Sequence, residues 1–245
     1  MLCYLVREIT RKIMNKIKKE LKKFADPEKA KILQRFFKTG KGEYGEGDIF
    51  IGVTVPNIRK VTKKFVDTET QRIASLLKSK IHEERLCAVL MLVEKFQAGD
   101  MAERKQIYNI YLKNAKYINN WDLVDLSAPK IVGVYLLDHD RKILYKLAKS
   151  KNLWERRIAV LATFTFIREK QFDDALKISK MLLQDKHDLM HKAVGWMLRE
   201  IGKRDMKVEE KFLKQYYRQM PRTMLRYAIE KFPEDLRQRY LKGGV

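Results

Sequence analysis

The sequence predicts an all-α fold, an α-solenoid of helical repeats, and three observations support this prediction. Apolar residues recur three and four positions apart along most of the 245 residues, and no stretch alternates apolar and polar residues as a strand would. The chain has only 11 glycines and 5 prolines. Similar helical segments also return at a regular interval along the chain.

Local signals place several helix starts. Asp67 and Asp100 each precede a helical pattern and can cap it, while Pro221 and Pro233 stand where helices begin. The apolar spacing then continues through helices of about 11 to 18 residues. These helices account for nearly the whole chain.

Four segments resemble one another, each with a small alanine where helices could pack closely. They are ERLCAVLMLVEKF from Glu84, ERRIAVLATFTFI from Glu155, LMHKAVGWMLREI from Leu189 and RTMLRYAIEKF from Arg222. The alanines are 88, 159, 193 and 228, so one repeat has roughly 35 residues if one copy lies between the first two. Helical pairs of that length indicate a solenoid of the HEAT or armadillo type, with a concave face that the basic segment starts could line. A plain helical bundle is the alternative.

We predict one HEAT-like repeat domain over residues 1–245. Residues 38–50, in which four glycines cluster, form a glycine-rich loop. Residues 1–13 are interpreted as an N-terminal extension of the first helix, because Met14 could equally be the start. A secretory signal is not expected there, since a long apolar stretch and a small-residue cleavage site are both missing.

Composition excludes several classes of protein. A chain that is 45% hydrophobic can form a core, which excludes a disordered protein. Only Cys3 and Cys87 occur, so a disulfide-stapled module is excluded, and a reducing cytosolic location with no membrane span is expected. The 53 Lys and Arg against 31 Asp and Glu leave a net charge of +22. This charge favours nucleic acid as the partner, with an anionic membrane surface or a merely solvated lysine-rich surface as alternatives.

The segment NNWDLVDLSAPK contains a candidate site. Asp122 suits the positive end of a helix that Asn119 or Asn120 can cap, but Asp125 lies one turn further in, where an aspartate costs helix propensity. Trp121 and Asp125 are four residues apart and so share one helix face. An indole beside a carboxylate could hold a cation. The alternative is a core tryptophan with Asp125 bound to a neighbouring arginine.

Two further segments carry candidate functional residues. In KNLWERRIAVL, a guanidinium from Arg156 or Arg157 suits phosphate binding, and a salt bridge between repeats is the alternative. In HKAVGWMLREIGK, Gly195 beside Trp196 indicates close approach by another backbone or by a ligand. The pattern HDLMH from His187 to His191 lacks the glutamate and third ligand of a zinc protease, so no metal and no cofactor are expected.

These residues lie in segments that resemble the AlkD-like family of DNA alkylation-repair glycosylases. The resemblance runs from about Pro27 to Phe232. It includes DPEKAKILQRFF, FIGVTVPNIRKV, WDLVD, NLWERRIAVL and KAVGWMLRE, and the last three in this order and spacing are specific. The family fold is a solenoid of HEAT-like repeats, in agreement with the period. One departure is Asn120, where the family can have an aromatic residue. The glycine-rich loop 38–50 also looks like an insertion relative to the family.

The resemblance implies a set of site residues. The catalytic carboxylate falls on Asp125, the two tryptophans that flank the sugar on Trp121 and Trp196, and the phosphate-contacting arginine on Arg157. Further DNA-binding candidates in the same segments are Arg156, Lys192 and Arg199.

The resemblance also implies an activity. Family members excise N3- and N7-alkylated purines, which carry a positive charge, from double-stranded DNA without flipping the base. We therefore expect a monofunctional, monomeric DNA glycosylase without cofactor that acts in base excision repair. The alternatives are a non-catalytic HEAT-repeat protein that binds nucleic acid and a scaffold whose groove holds a protein helix.

Overall fold

The computed structural model describes residues 2–245, and the side chains of residues 2–7 and 9 lie outside that description. Met1 of the predicted extension 1–13 is therefore not described, while the helix α1 runs on from Leu2 without a break. The described chain is helical, and the strand-like pairing found in it is one isolated bridge between Ile49 and Ile81. The prediction of an all-α repeat fold is confirmed.

The chain divides into two compact units, Met1–Ser127 and Ala128–Val245. The helices of the first unit are α1 (Leu2–Lys22), α2 (Pro27–Phe36), α3 (Val55–Lys64), α4 (Thr70–Leu76), α5 (His82–Ala98), α6 (Met101–Lys113) and α7 (Trp121–Ala128), with a short 3-10 helix at Ala115–Tyr117. The helices of the second are α8 (Lys142–Ala148), α9 (Leu153–Arg168), α10 (Asp173–Met181), α11 (Asp188–Gly202), α12 (Met206–Tyr216), α13 (Arg222–Ala228) and α14 (Glu234–Lys242). A π-helical turn, Pro129–Gly133, and the 3-10 helices Tyr217–Gln219 and Ile229–Lys231 complete the second unit.

The predicted helix starts are mostly confirmed. The Asp100 carboxylate accepts the backbone N–H of Glu103 at 2.8 Å and caps α6, and Pro221 and Pro233 directly precede α13 and α14. The start after Asp67 is wrong, because α4 begins at Thr70. A turn that closes α3, with the Thr68 N–H bonded to the Phe65 carbonyl at 3.0 Å, occupies the intervening residues.

The repeat is visible in the core of each unit. The four alanines that defined the period, at positions 88, 159, 193 and 228, are fully buried in α5, α9, α11 and α13. The repeat copy that lies between the first two segments falls in α7, where Leu123 and Val124 are also fully buried. In the second unit, α11 packs between α9 and α13, while α10 contacts α8. The second helices of successive repeats therefore form one packed layer of this unit.

Gly195 shows how tightly that layer packs. A Cβ at this position would lie 2.4 Å from the carbonyl oxygen of Met224 on α13, well inside van der Waals contact. The predicted close approach by another backbone is confirmed, and the neighbour is a helix of the next repeat. Helix packing thus explains this glycine without a ligand.

Candidate active site

Helix α7 presents Trp121 and Asp125 on its open face. Asn120 directly precedes the helix, and its side-chain oxygen accepts the N–H of Trp121 at 2.8 Å. The residues between the two, Asp122, Leu123 and Val124, are buried, whereas Trp121 and Asp125 are both half-buried. The four-residue spacing therefore places an indole and a carboxylate side by side at a surface, as the sequence predicted.

Aromatic side chains hold the indole of Trp121. Its ring stacks on Phe37, with ring centroids 5.1 Å apart and planes 14° from parallel. Phe36, 62% exposed, meets the same indole edge-on at 6.0 Å. The indole N–H donates to the hydroxyl of Tyr44 at 3.3 Å. Phe37 thus covers one face of the indole, and Phe36 and Tyr44 make further contacts with it.

A buried ionic cluster lies beneath the start of α7. The imidazole of His82, at the start of α5, contacts Asp122 through Nε2 at 2.8 Å and Asp48 through Nδ1 at 3.1 Å. The guanidinium of Arg85 donates to the other oxygen of Asp48 at 2.6 Å, and the Asn120 amide donates to Asp48 at 3.3 Å. Two carboxylates face two basic groups, so the cluster balances its charge when His82 is protonated.

The neighbouring charges decide the protonation of this cluster. Burial by itself lowers the pKa of His82, but the charge and hydrogen bond of Asp122 and the hydrogen bond of Asp48 outweigh it and raise that pKa. Burial by itself raises the pKa of Asp48, and His82 and Arg85 together lower it below its ordinary value. The raised pKa favours the imidazolium form of His82, between the two carboxylates.

The cluster also explains why Asn120 departs from the resemblance. Asn120 is fully buried. Its side-chain oxygen accepts the N–H of Trp121 on α7, and its side-chain nitrogen donates to Asp48. A phenyl ring could make neither bond, and an indole has no oxygen to accept the Trp121 N–H. The position here is a buried polar anchor for the helix that carries Trp121.

The second unit holds Trp196 in a similar way. Trp196 on α11 is half-buried, and its indole N–H donates to Glu200 at 3.3 Å. Burial by itself raises the pKa of Glu200. Lys203 and Arg204 bond the same carboxylate, and together they lower that pKa below its ordinary value. The ring lies 5.9 Å from that of Phe164. Two of the three tryptophans therefore expose part of a ring whose indole N–H is anchored.

The third tryptophan, Trp154, differs from those two. It is only 7% exposed, on α9 of the second unit. Its position is that of a core residue.

The basic candidates of the second unit have close partners. Arg157 is 5% exposed and donates to the Leu189 carbonyl of α11 at 2.7 Å. Arg156 bonds the Asp185 carboxylate at 2.6 Å. Lys192 pairs with Asp188 at 2.7 Å, and Arg199 pairs with Glu230. Arg157 and Arg156 therefore tie the start of α9 to the chain around the start of α11.

The histidines of HDLMH are engaged by the backbone. His187 precedes α11, where its Nδ1 accepts the N–H of Leu189 at 3.2 Å, and the Nε2 of His191 lies 2.5 Å from the Asp185 carbonyl. Among the residues that the structure describes, no group of three or more His, Cys, Asp or Glu side chains is arranged to hold a metal ion. The arrangement of both histidines is that of a helix start.

Sequence reasoning missed His82, Asp48, Arg85 and Tyr44. A signal for the first of these does exist in the sequence, because HEER precedes LCAVLMLV, a helix that is apolar all round and must therefore be buried on every side. The polar start of such a helix is buried too, and buried charges need partners. No comparable signal in the sequence identifies the residues that partner these buried charges.

The chemistry available on α7 concerns a cation. A half-buried carboxylate beside an indole stabilises a positive charge that reaches it, through Coulomb attraction and through the ring face. In the described part of the chain, no helix combines the length and the apolar character that crossing a lipid bilayer requires. Fold and site together define a strongly basic, all-α repeat protein with an indole–carboxylate pair on one helix.

Comparison with known proteins identifies the family. The model of the DNA alkylation repair enzyme family matches residues 17–232, so the chain belongs to that family. A solved structure described as a predicted DNA alkylation repair enzyme from Enterococcus faecalis is similar in fold, with a TM-score of 0.67 and 18% sequence identity. The match covers 86% of this chain and 97% of that one. No curated protein matches the chain in sequence.

Proposed function

We propose that this protein is a monofunctional DNA glycosylase, which releases cationic N3- and N7-alkylpurines from duplex DNA without base flipping. One observation supports this above all: α7 buries Asp122 in an ion pair and leaves Asp125 half-buried beside Trp121. We therefore assign a structural role to Asp122 and the stabilisation of a cation to Asp125.

The proposed reaction uses the lability of the lesion itself. An N3- or N7-alkylpurine already carries a positive charge, so the bond to the sugar breaks with its electron pair moving onto the base, which leaves neutral. The sugar becomes an oxocarbenium ion, which the Asp125 carboxylate stabilises. Water then adds at C1′ and loses a proton, giving an abasic site. A neutral base stays attached because it leaves poorly, so selection needs no pocket for a flipped base.

The remaining residues take the roles that the resemblance implies. Trp121 and Trp196 each offer an indole face to a cationic sugar or base, worth roughly 0.5–2 kcal/mol per contact. We assign Arg157 to a phosphate, with Arg156, Lys192 and Arg199 as further contributors to DNA binding. The net charge of +22 attracts the duplex over distances of about a Debye length.

The test is release of alkylpurines from methylated duplex DNA. We expect free N3-methyladenine and N7-methylguanine above the spontaneous rate, abasic sites in the product, and no strand cleavage, since no lysine is assigned as a Schiff-base nucleophile. The same duplex without methylation is the control. Binding of methylated DNA with release at only the spontaneous rate would contradict the proposal and favour a non-catalytic DNA-binding protein.

The role of Arg157 has its own test. We expect Arg157→Ala to weaken binding to duplex DNA and to reduce the salt dependence of the affinity by about one phosphate contact. Arg157→Lys keeps the charge, so it should keep the salt dependence while losing part of the affinity. The measurement is fluorescence anisotropy over a series of salt concentrations, on variants whose helical content matches wild type. An Arg157→Ala protein that binds like wild type at every salt concentration would show that this residue contacts no phosphate.

A further inference from the structure

The glycine-rich loop, residues 38–50, is fastened at its C-terminal end. Asp48 joins the buried cluster of His82 and Arg85 described above. Just beyond the loop, the buried carboxylate of Glu83 accepts the backbone N–H groups of residues 51, 52 and 53 at 2.8–3.2 Å. The C-terminal end of the loop is therefore anchored to α5.

The middle of the loop is held close to the end of α2. The Gly45 N–H donates to the Lys38 carbonyl at 3.0 Å. A Cβ at Gly45 would lie 2.4 Å from the carbonyl oxygen of Phe37, so only glycine allows this approach. The carboxylates of Glu43 and Glu46 accept N–H groups of the loop itself, at Gly40 and Gly42, both at 2.8 Å. The conformation around Tyr44 is thus determined by the loop's own contacts.

Tyr44 connects this loop to Trp121. Its hydroxyl accepts the indole N–H at 3.3 Å and donates to the Phe36 carbonyl at 3.4 Å. The backbone carbonyl of Phe37 lies against Gly45, and the ring of Phe37 stacks on the same indole. The ring plane of Trp121 is therefore set by Phe37 and the direction of its N–H edge by Tyr44. An indole without the second contact could flip over about its Cβ–Cγ bond, which keeps the ring plane but reverses the direction of the N–H edge.

The charge of the loop argues against a main role in gripping DNA. It contains two lysines and three acidic residues, in a protein whose net charge is +22. Two of the acidic side chains bond the loop backbone and the third is buried. The side chains of the loop therefore stabilise its own conformation, and Tyr44 contacts the neighbouring Trp121.

We propose that loop 38–50 is a positioning element for Trp121, and that the Tyr44 hydroxyl orients the indole toward the sugar of the lesion. This inference rests on the proposed glycosylase function. It gives Tyr44 a role through Trp121 rather than a direct role in the chemistry.

The experiment compares Tyr44→Phe with wild type in two measurements. The full-length protein is labelled with 5-fluorotryptophan, and the fluorine resonance of Trp121 is assigned with Trp121→Phe. In Tyr44→Phe this resonance should shift by more than its linewidth, while the resonances of Trp154 and Trp196 should not shift. The single-turnover rate of N7-methylguanine release should fall about three- to tenfold, as the loss of one neutral hydrogen bond suggests, with little change in Kd for the duplex.

Tyr145→Phe is the matched control, because it removes a hydroxyl that donates to Asp174 at 2.5 Å in the second unit. It should change neither the Trp121 resonance nor the release rate. An unmoved Trp121 resonance, or an unchanged release rate in Tyr44→Phe, would overturn the positioning role while wild-type release still supports the proposed function. A weaker Kd with an unmoved resonance would show instead that the loop contacts DNA. A wild-type protein without release would overturn the proposed function and this inference together.

Discussion

Asp125→Asn should lower the release of alkylpurines from duplex DNA by two orders of magnitude or more while leaving the fold intact. The amide has nearly the shape of the carboxylate but cannot offset the charge of an oxocarbenium ion, and removal of one preorganised electrostatic contact typically costs about 10²–10³ in rate. Affinity for the duplex should hold or rise slightly, because a negative charge near phosphates is removed. Single-turnover release and anisotropy measurements on the same protein separate the two effects.

Asp122→Asn is the matched control, since it makes the same chemical change three residues earlier on the same helix. Asp122 is buried against His82, so this variant should lose about 3 kcal/mol of stability, and its folded fraction should still release alkylpurines. If Asp125→Asn releases bases at the wild-type rate, Asp125 is not the catalytic carboxylate. If Asp125→Asn unfolds and Asp122→Asn does not, the two roles are reversed.

His82→Gln should destabilise the protein by about 3 kcal/mol or more at pH 6. The substitution leaves Asp48 and Asp122 buried with one cation fewer, and breaking a buried ion pair from one side typically costs about 3–5 kcal/mol. His139→Gln is the control. His139 is exposed and contacts the Tyr135 carbonyl, so its loss should cost less than about 0.5 kcal/mol. Urea unfolding of the three proteins gives the free energies of unfolding.

The difference between wild type and His82→Gln should depend on pH. The pKa of His82 is raised in the folded protein, so its stabilising contribution is complete below the unfolded value of about 6.5. It is lost as the pH rises through the folded pKa, because the folded protein then loses the proton that held the two carboxylates. The gap between the free energies of unfolding of wild type and His82→Gln should therefore narrow from pH 6 upward. A gap that widens over that range would mean that His82 is neutral in the folded state, and a constant gap would mean that folding does not raise its pKa.

Much of the molecule follows from local patterns in the sequence. The 3.6-residue periodicity predicted the helices, and the buried alanines, such as Ala159 and Ala193, lie on successive repeats as their spacing indicated. The spacing of Trp121 and Asp125 was enough to place both on one face of α7. Capping by Asp100 was also predictable, because a cap acts within one turn. The start of α4 was missed, because a turn after α3 competed with the local signal at Asp67.

The sequence by itself determined the helical class, the period of the repeats, the positive charge and the indole–carboxylate pair, because each depends on residues within a few turns of one another. Only the tertiary structure decided which aspartate of α7 is buried, and that Tyr44 holds Trp121. The contact of His82 with Asp122 spans 40 residues, and that of Tyr44 with Trp121 spans 77. Contacts between residues so far apart arise from the packing of helices and leave no periodic trace in the chain.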